Sequence, residues 1–231
     1  MKGLRFMNRT LATGGALATL LLLAACGGGG NGSSGSNGNG SAPAVTPKVS
    51  VQDLAPGSYT VSVGNADQPA VGKYYAGEDG SRLLLLAKTD DTLDRLFRRD
   101  GASPAWVAVP ASQSDLELAL LRSDPMAAQV ADAGALAGNY VAALSDGTAA
   151  RFAVDAAGAI AAGDTDCKLS GRLSAGKLPS TLALDLNASN CAGLAAANRG
   201  ALVIDGDYAP ARFRLVGDNG TQSLDLWAYK E

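Results

Sequence analysis

Residues 150–187 read ARFAVDAAGAIAAGDTDCKLSGRLSAGKLPSTLALDLN, and their apolar residues fall on alternate positions. Phe152 and Val154 share a side with Ala150, opposite Arg151 and Asp155. Cys167, Leu169 and Leu173 oppose Lys168, Ser170 and Arg172, and Leu182, Leu184 and Leu186 oppose Thr181, Asp185 and Asn187. A strand points successive side chains to opposite faces, so each run predicts a half-buried β-strand. The pattern continues toward the C-terminus. Leu202 and Ile204 oppose Asp205, Phe213 and Leu215 oppose Arg212 and Arg214, and Leu224 and Leu226 oppose Asp225.

The breaks between runs are turn formers: Ser145-Asp146-Gly147, Ala157-Gly158, Ser174-Ala175-Gly176 and Asp218-Asn219-Gly220. Asn219-Gly220 is a hairpin signal because both residues tolerate positive φ. Residues 138–231 therefore predict an antiparallel meander of about seven or eight strands, which hides its dry face and its edges by closing as a barrel or folding as a sandwich. Cys167 and Cys191 predict one disulfide stapling neighbouring strands. Cys191 is out of phase with Leu182, Leu184 and Leu186, so a bulge or loop near Asn187 to Asn190 has to reset the alternation.

Residues 50–124 predict a second, N-terminal β-rich domain and residues 125–137 an inter-domain linker, with Asp124 to Leu136 reading as linker or short helix. Tyr59, Val61 and Val63 alternate with Ser58, Thr60 and Ser62. Leu83 to Leu86 fits a strand buried on both faces. Leu93, Leu96 and Phe97 fit helical spacing as well as a bent strand. Leu54-Ala55-Pro56-Gly57-Ser58-Tyr59 returns, one residue shorter, as Leu136-Ala137-Gly138-Asn139-Tyr140, each phrase ending a loop and starting a strand. The fold class expected is all-β, with two small antiparallel domains.

At the other end of the chain, Lys2, Arg5 and Arg9 precede an uncharged run from Leu11 to Ala25. This is the layout of a signal peptide over residues 1–25, and its apolar part, about fifteen residues, is short of the roughly 20 that cross a bilayer as a helix. It ends in Leu23-Ala24-Ala25-Cys26, which resembles the lipobox of bacterial lipoprotein precursors. The resemblance implies cleavage before Cys26, a diacylglyceryl group on its thiol and acylation of the new amine. Several acyl chains are needed because each buried methylene contributes only about 0.8 kcal/mol. Gly27, where aspartate favours the inner membrane, implies the outer membrane as the destination.

Residues 26–49 then carry the lipidated cysteine and a Gly/Ser/Asn tract of linker composition, with a typical reach of about 25 Å. A cysteine followed by such a tract also looks like the anchor of Gram-negative surface lipoproteins, including the transferrin-binding and factor-H-binding kinds, whose folded parts contain small β-barrels. That resemblance is confined to the tether and leaves open which side of the outer membrane the protein faces.

Loss of residues 1–25 removes three of the 19 Lys+Arg and no acidic residue, leaving 16 against 22 Asp+Glu. A mildly acidic chain has no clustered cations for phosphates, so nucleic acid is not an expected partner.

The sequence contains no histidine, which removes the commonest general base near neutral pH and excludes Ser-His-Asp and Cys-His catalysis. Neither a GxSxG, a Walker loop nor a CxxC pair is present. Asp164 with Asp166, and Asp205 with Asp207 on the wet face of one strand, are the carboxylate pairs nearest to a cation site, but they read first as solvated surface charge, so neither a metal nor a cofactor is expected. Asp94, Arg95, Arg98, Arg99 and Asp100 mix their signs and read as a solvated face. Trp227 and Tyr229 stand out. With Leu224 and Leu226 on the dry face, both aromatics join Asp225 on the other, as a possible binding face or as packing between the two halves.

These observations favour a non-enzymatic lipoprotein anchored to the outer membrane through acylated Cys26, structural or binding an envelope or external protein or glycan. The alternatives are an envelope enzyme working through a carboxylate pair and a carrier of a small apolar ligand inside a β-barrel.

Overall fold

The structure is a computed structural model and describes residues 46–231. The signal peptide, Leu23, Ala24, Ala25, Cys26 and the Gly/Ser/Asn tract lie outside the described residues. Val45–Glu231 form one compact unit of all-β architecture. No helix among the described residues is long and apolar enough to cross a membrane.

The N-terminal part comprises β1 (Val49–Val51), β2 (Gly57–Gly64), β3 (Pro69–Ala76), β4 (Arg82–Ala87), β5 (Leu93–Arg99), β6 (Val107–Val109), β7 (Leu116–Leu118) and β8 (Leu120–Met126). Six of them make a sheet in the order β6-β5-β4-β3-β2-β8, and β1 pairs with β7 in parallel. The expected boundary at residue 124 falls inside β8. The remainder of the segment up to residue 137 holds a single 3-10 turn, Gly134–Leu136.

The C-terminal part is a closed antiparallel barrel of β9 (Gly138–Ala143), β10 (Ala149–Val154), β11 (Ala159–Ala162), β12 (Lys168–Ala175), β13 (Thr181–Ser189), β14 (Ala197–Val203), β15 (Phe213–Asp218) and β16 (Ser223–Lys230). Each strand pairs with the next, and β16 returns to β9 through Ala228 opposite Ala142. Closure decides between barrel and sandwich, and it leaves no edge strand.

The predicted dry face fills the barrel. Leu173 lies opposite Leu184, Leu202 opposite Leu215, and Leu215 opposite Leu226. Tyr140, Phe152 and Phe213 cluster at the centre, with Tyr140 and Phe213 ring centroids 4.7 Å apart. These side chains are almost completely buried. An apolar ligand would have to displace them, so the interior is a core rather than a carrier's cavity.

Cys167 and Cys191 are disulfide-bonded, with Cα atoms 4.5 Å apart. The alternation of β13 persists through buried Ala188. The reset comes at Asn190, whose φ of 57° turns the chain so that Cys191 reaches back to the start of β12.

The middle of the six-stranded sheet, β4 with the adjoining parts of β3 and β5, is buried on both faces, whereas β8 at its edge is largely exposed. Leu84 and Leu86 pack with Tyr74, Phe97 and Trp106, a core that β1 and β7 cover with Val49, Val51, Leu116 and Leu118. Leu83, Leu85, Leu93 and Leu96 face the other way, onto Ala201, Val203 and Val216 of the barrel. The molecule thus has three layers: the β1/β7 pair, the sheet and the barrel. The ambiguous Leu93, Leu96 and Phe97 belong to a bent strand. Ala87 pairs with Leu93 and Leu86 with Arg95, so Asp94 is an extra residue, and the bulge places Leu93 and Leu96 on one face at a helix-like spacing.

Candidate functional site

The seam between sheet and barrel buries the charged side chains Arg214 and Asp218. Arg214 and Asp225 sit on neighbouring strands, β15 and β16, on the face expected to be wet. Instead the sheet covers them, and Arg214 is only 3% exposed. Its guanidinium bonds Asp225 through Nε at 2.6 Å and Nη2 at 2.8 Å, and also donates to the Asp91 carbonyl at 3.3 Å. Asp225 accepts in addition from the Leu93 amide at 2.7 Å. Arg98 reaches from the sheet to Asp218 with Nε at 2.8 Å. The signal for this coverage lies in the sequence itself, because Ala201-Leu202-Val203-Ile204 and Leu215-Val216 are continuous apolar runs, as strands buried on both faces require.

Farther along the seam, Lys73 of β3 meets Asp205 at 3.1 Å and Asp207 at 2.5 Å. These two aspartates do not share a strand, contrary to expectation. They flank and enter the 3-10 turn Gly206–Tyr208, where the Asp205 side chain caps the Asp207 amide. Asp205 Oδ2 is buried without a hydrogen bond of good geometry, so the Lys73 ammonium compensates it by charge. Burial works against the charged lysine, but hydrogen bonds and attraction from Asp207 and Asp205 outweigh it and raise the Lys73 pKa. The turn also delivers Tyr208, whose hydroxyl lies 3.4 Å from that of Tyr75. Burial holds both phenols above their ordinary pKa.

Trp227 stands at the edge of this network. Its ring meets Tyr208 edge-on at 5.0 Å, and the Arg214 guanidinium stacks over it at 4.6 Å. The indole is partly buried and lines an open cleft of about 760 Å³ between β3, β4 and the barrel, with Val71, Lys73, Leu85, Asp94 and Asp207 among its walls. Val71 is 51% exposed there, the most exposed large apolar side chain in any strand. Tyr229 continues the outward stripe of β16 beyond the cleft and is 37% exposed. Trp227 thus packs between the two parts, one of the two roles expected for it, and also lines a cleft, while Tyr229 lies on the surface. Lys73, Tyr208 and Val71 join the site without having been singled out in the sequence, since only the fold brings residues so distant together.

The other candidates disperse. Arg98 turns to the barrel, whereas Arg99 bonds Asp53 and lies 5.4 Å from the Trp106 ring, so the Asp94–Asp100 cluster does not form one patch. Asp164 lies at one mouth of the barrel, 3.5 Å from Arg151. Among the described residues no group of three or more Cys, Asp and Glu side chains could hold a metal ion. Comparison with protein-family models, curated proteins and solved structures finds no match.

Proposed function

We propose that this chain is a non-enzymatic lipoprotein, held at the outer membrane by an acylated Cys26, that binds a protein or glycan at the cell envelope through the Trp227 cleft. The lipobox-like Leu23-Ala24-Ala25-Cys26 and the linker-like tract after it support the anchoring. The cleft carries the binding assignment, because a partly buried tryptophan beside an exposed valine, in a concavity between two packed β units, is the composition of a recognition site. Of the carboxylates on and beneath its walls, Asp205 and Asp207 are engaged by Lys73 and Asp225 by Arg214, while Asp91 and Asp94 are exposed and in no ion pair among the described residues. The chain has no histidine to serve as a general base near neutral pH, which favours binding over acid/base chemistry.

Membrane fractionation of wild type beside Cys26→Ser, with protease shaving of intact cells, tests the anchoring. The wild type is expected in outer-membrane fractions and the variant not. Wild-type protein recovered soluble with an unmodified Cys26 would overturn the proposal. Shaving from outside points to an external partner, and protection to a periplasmic one.

A further inference from the structure

Resting on the assignment of the Trp227 cleft as the binding site, we infer that its ligand is a neutral glycan. The charged side chains of the lining balance, with Lys73, Lys88 and Arg214 set against Asp91, Asp94 and Asp207. Such a lining neither attracts an anionic polymer nor repays the desolvation of a strongly charged ligand. Two of its cations are also held in place: Lys73 by two aspartates, Arg214 by Asp225 and the Asp91 carbonyl. A lining whose buried charges are already compensated suits hydroxyl groups, whose hydrogen bonds demand direction and carry no charge. Lys88 and Asp94, both exposed on the cleft wall, belong to none of the ion pairs among the described residues and supply a donor and an acceptor for the same purpose.

The aromatic surface completes the match. A sugar ring has an apolar C–H face and a polar rim, so it needs an aromatic platform with polar groups at its edge. The Arg214 guanidinium lies over one face of the Trp227 ring and Tyr208 meets it edge-on, which leaves a sugar the cleft-facing side of the ring with polar groups next to it. Tyr229 follows two residues later on the same side of β16, a step of about 7 Å along the strand, which extends the platform from the cleft to the open surface. The walls are fixed to each other by the Asp225 contact to the Leu93 amide and by the Tyr75–Tyr208 pair. The site is therefore formed before the ligand arrives, which limits the ordering cost of binding.

The test follows the two indole N–H resonances of the full, lipidated chain in a detergent without a sugar headgroup, assigned with Trp227→Phe. The probes are neutral tetrasaccharides of glucose, N-acetylglucosamine and galactose units, an oligogalacturonate as the acidic control, and a pool of unstructured peptides. A neutral tetrasaccharide is expected to shift the Trp227 signal and leave that of buried Trp106 in place, with affinity lowered about tenfold by Trp227→Ala. A response to peptides or to the acidic control alone overturns the glycan inference and leaves the cleft as a binding site. Silence from every probe overturns both.

Discussion

Arg214 and Asp225 form a two-bonded ion pair across β15 and β16, closed off from solvent by the sheet, with side chains 4% and 16% exposed. Removing the carboxylate strands a buried guanidinium and the Leu93 amide together. Asp225→Ala is therefore expected to cost about 3–5 kcal/mol, measured by denaturant unfolding. A double variant, Arg214→Met with Asp225→Leu, should lose less than the single one, because no charge is left uncompensated. A double loss equal to or above the single loss would contradict this account.

The repeated phrase has a structural counterpart. Tyr59 donates to the Ala55 carbonyl at 3.0 Å and Tyr140 to the Leu136 carbonyl at 2.6 Å, each four residues upstream. Between them Gly57 and Gly138 take φ of 152° and 153°, a turn that side chains resist. Each phrase thus builds the same corner at the entry to a strand. Tyr59→Phe and Tyr140→Phe should each destabilise by about 1 kcal/mol, with the larger loss at Tyr140 because its carbonyl partner is left unpaired in the core. Equal melting temperatures for wild type and Tyr140→Phe would argue against a corner role.

The disulfide spans a sequence separation of 24, and closing a loop of that size restricts the unfolded chain by about 3–4 kcal/mol. The paired variant Cys167→Ser/Cys191→Ser should lose that amount, and wild type unfolded in reductant should match it. Since the sheet packs on β14 and β15 through Ala201, Val203 and Val216, loosening the barrel should also raise amide exchange in β4 and β5. Exchange unchanged in those strands would show that the two parts melt independently.

With no histidine in the chain, stability is expected to be flat between about pH 5 and 9. On the acid side, Asp53 loses some solvation by burial, but hydrogen bonds and attraction from Arg99 and Arg82 hold its pKa below the ordinary value. Its contribution is present above the unfolded pKa and fades as pH falls through the lowered one. On the alkaline side, burial pushes the Tyr74 phenol to about 12 and Tyr75 well above 10. These groups fold protonated, so stability declines once pH passes the unfolded value near 10. A titration of unfolding midpoints that slopes between pH 6 and 8 would require an unrecognised titrating group.

The barrel was legible because its strands obey one rule, an apolar face inside and a polar face outside, and tight turns punctuate them. The N-terminal sheet was hard to read because it breaks that rule. Leu83 to Leu86 is apolar on both faces, and the Asp94 bulge gives Leu93 and Leu96 the spacing of a helix. The same burial explains why Arg214 and Asp225 resembled surface residues. Period two marks them as facing away from the barrel core, and only the apolar runs Ala201 to Ile204 and Leu215-Val216 hint that a second sheet lies over them. Trp227 drew notice as an aromatic on the outward side, whereas Lys73 and Tyr208 become part of the cleft only through tertiary contacts.

Burial of the middle of the sheet on both faces also constrains the order of events during synthesis. The chain is made from its N-terminus, so the face carrying Tyr75, Leu83, Leu85 and Leu96 exists before the strands that shelter it, β14 and β15. Until Ala201, Val203 and Val216 have been made and folded over it, that face is exposed apolar surface, prone to aggregate.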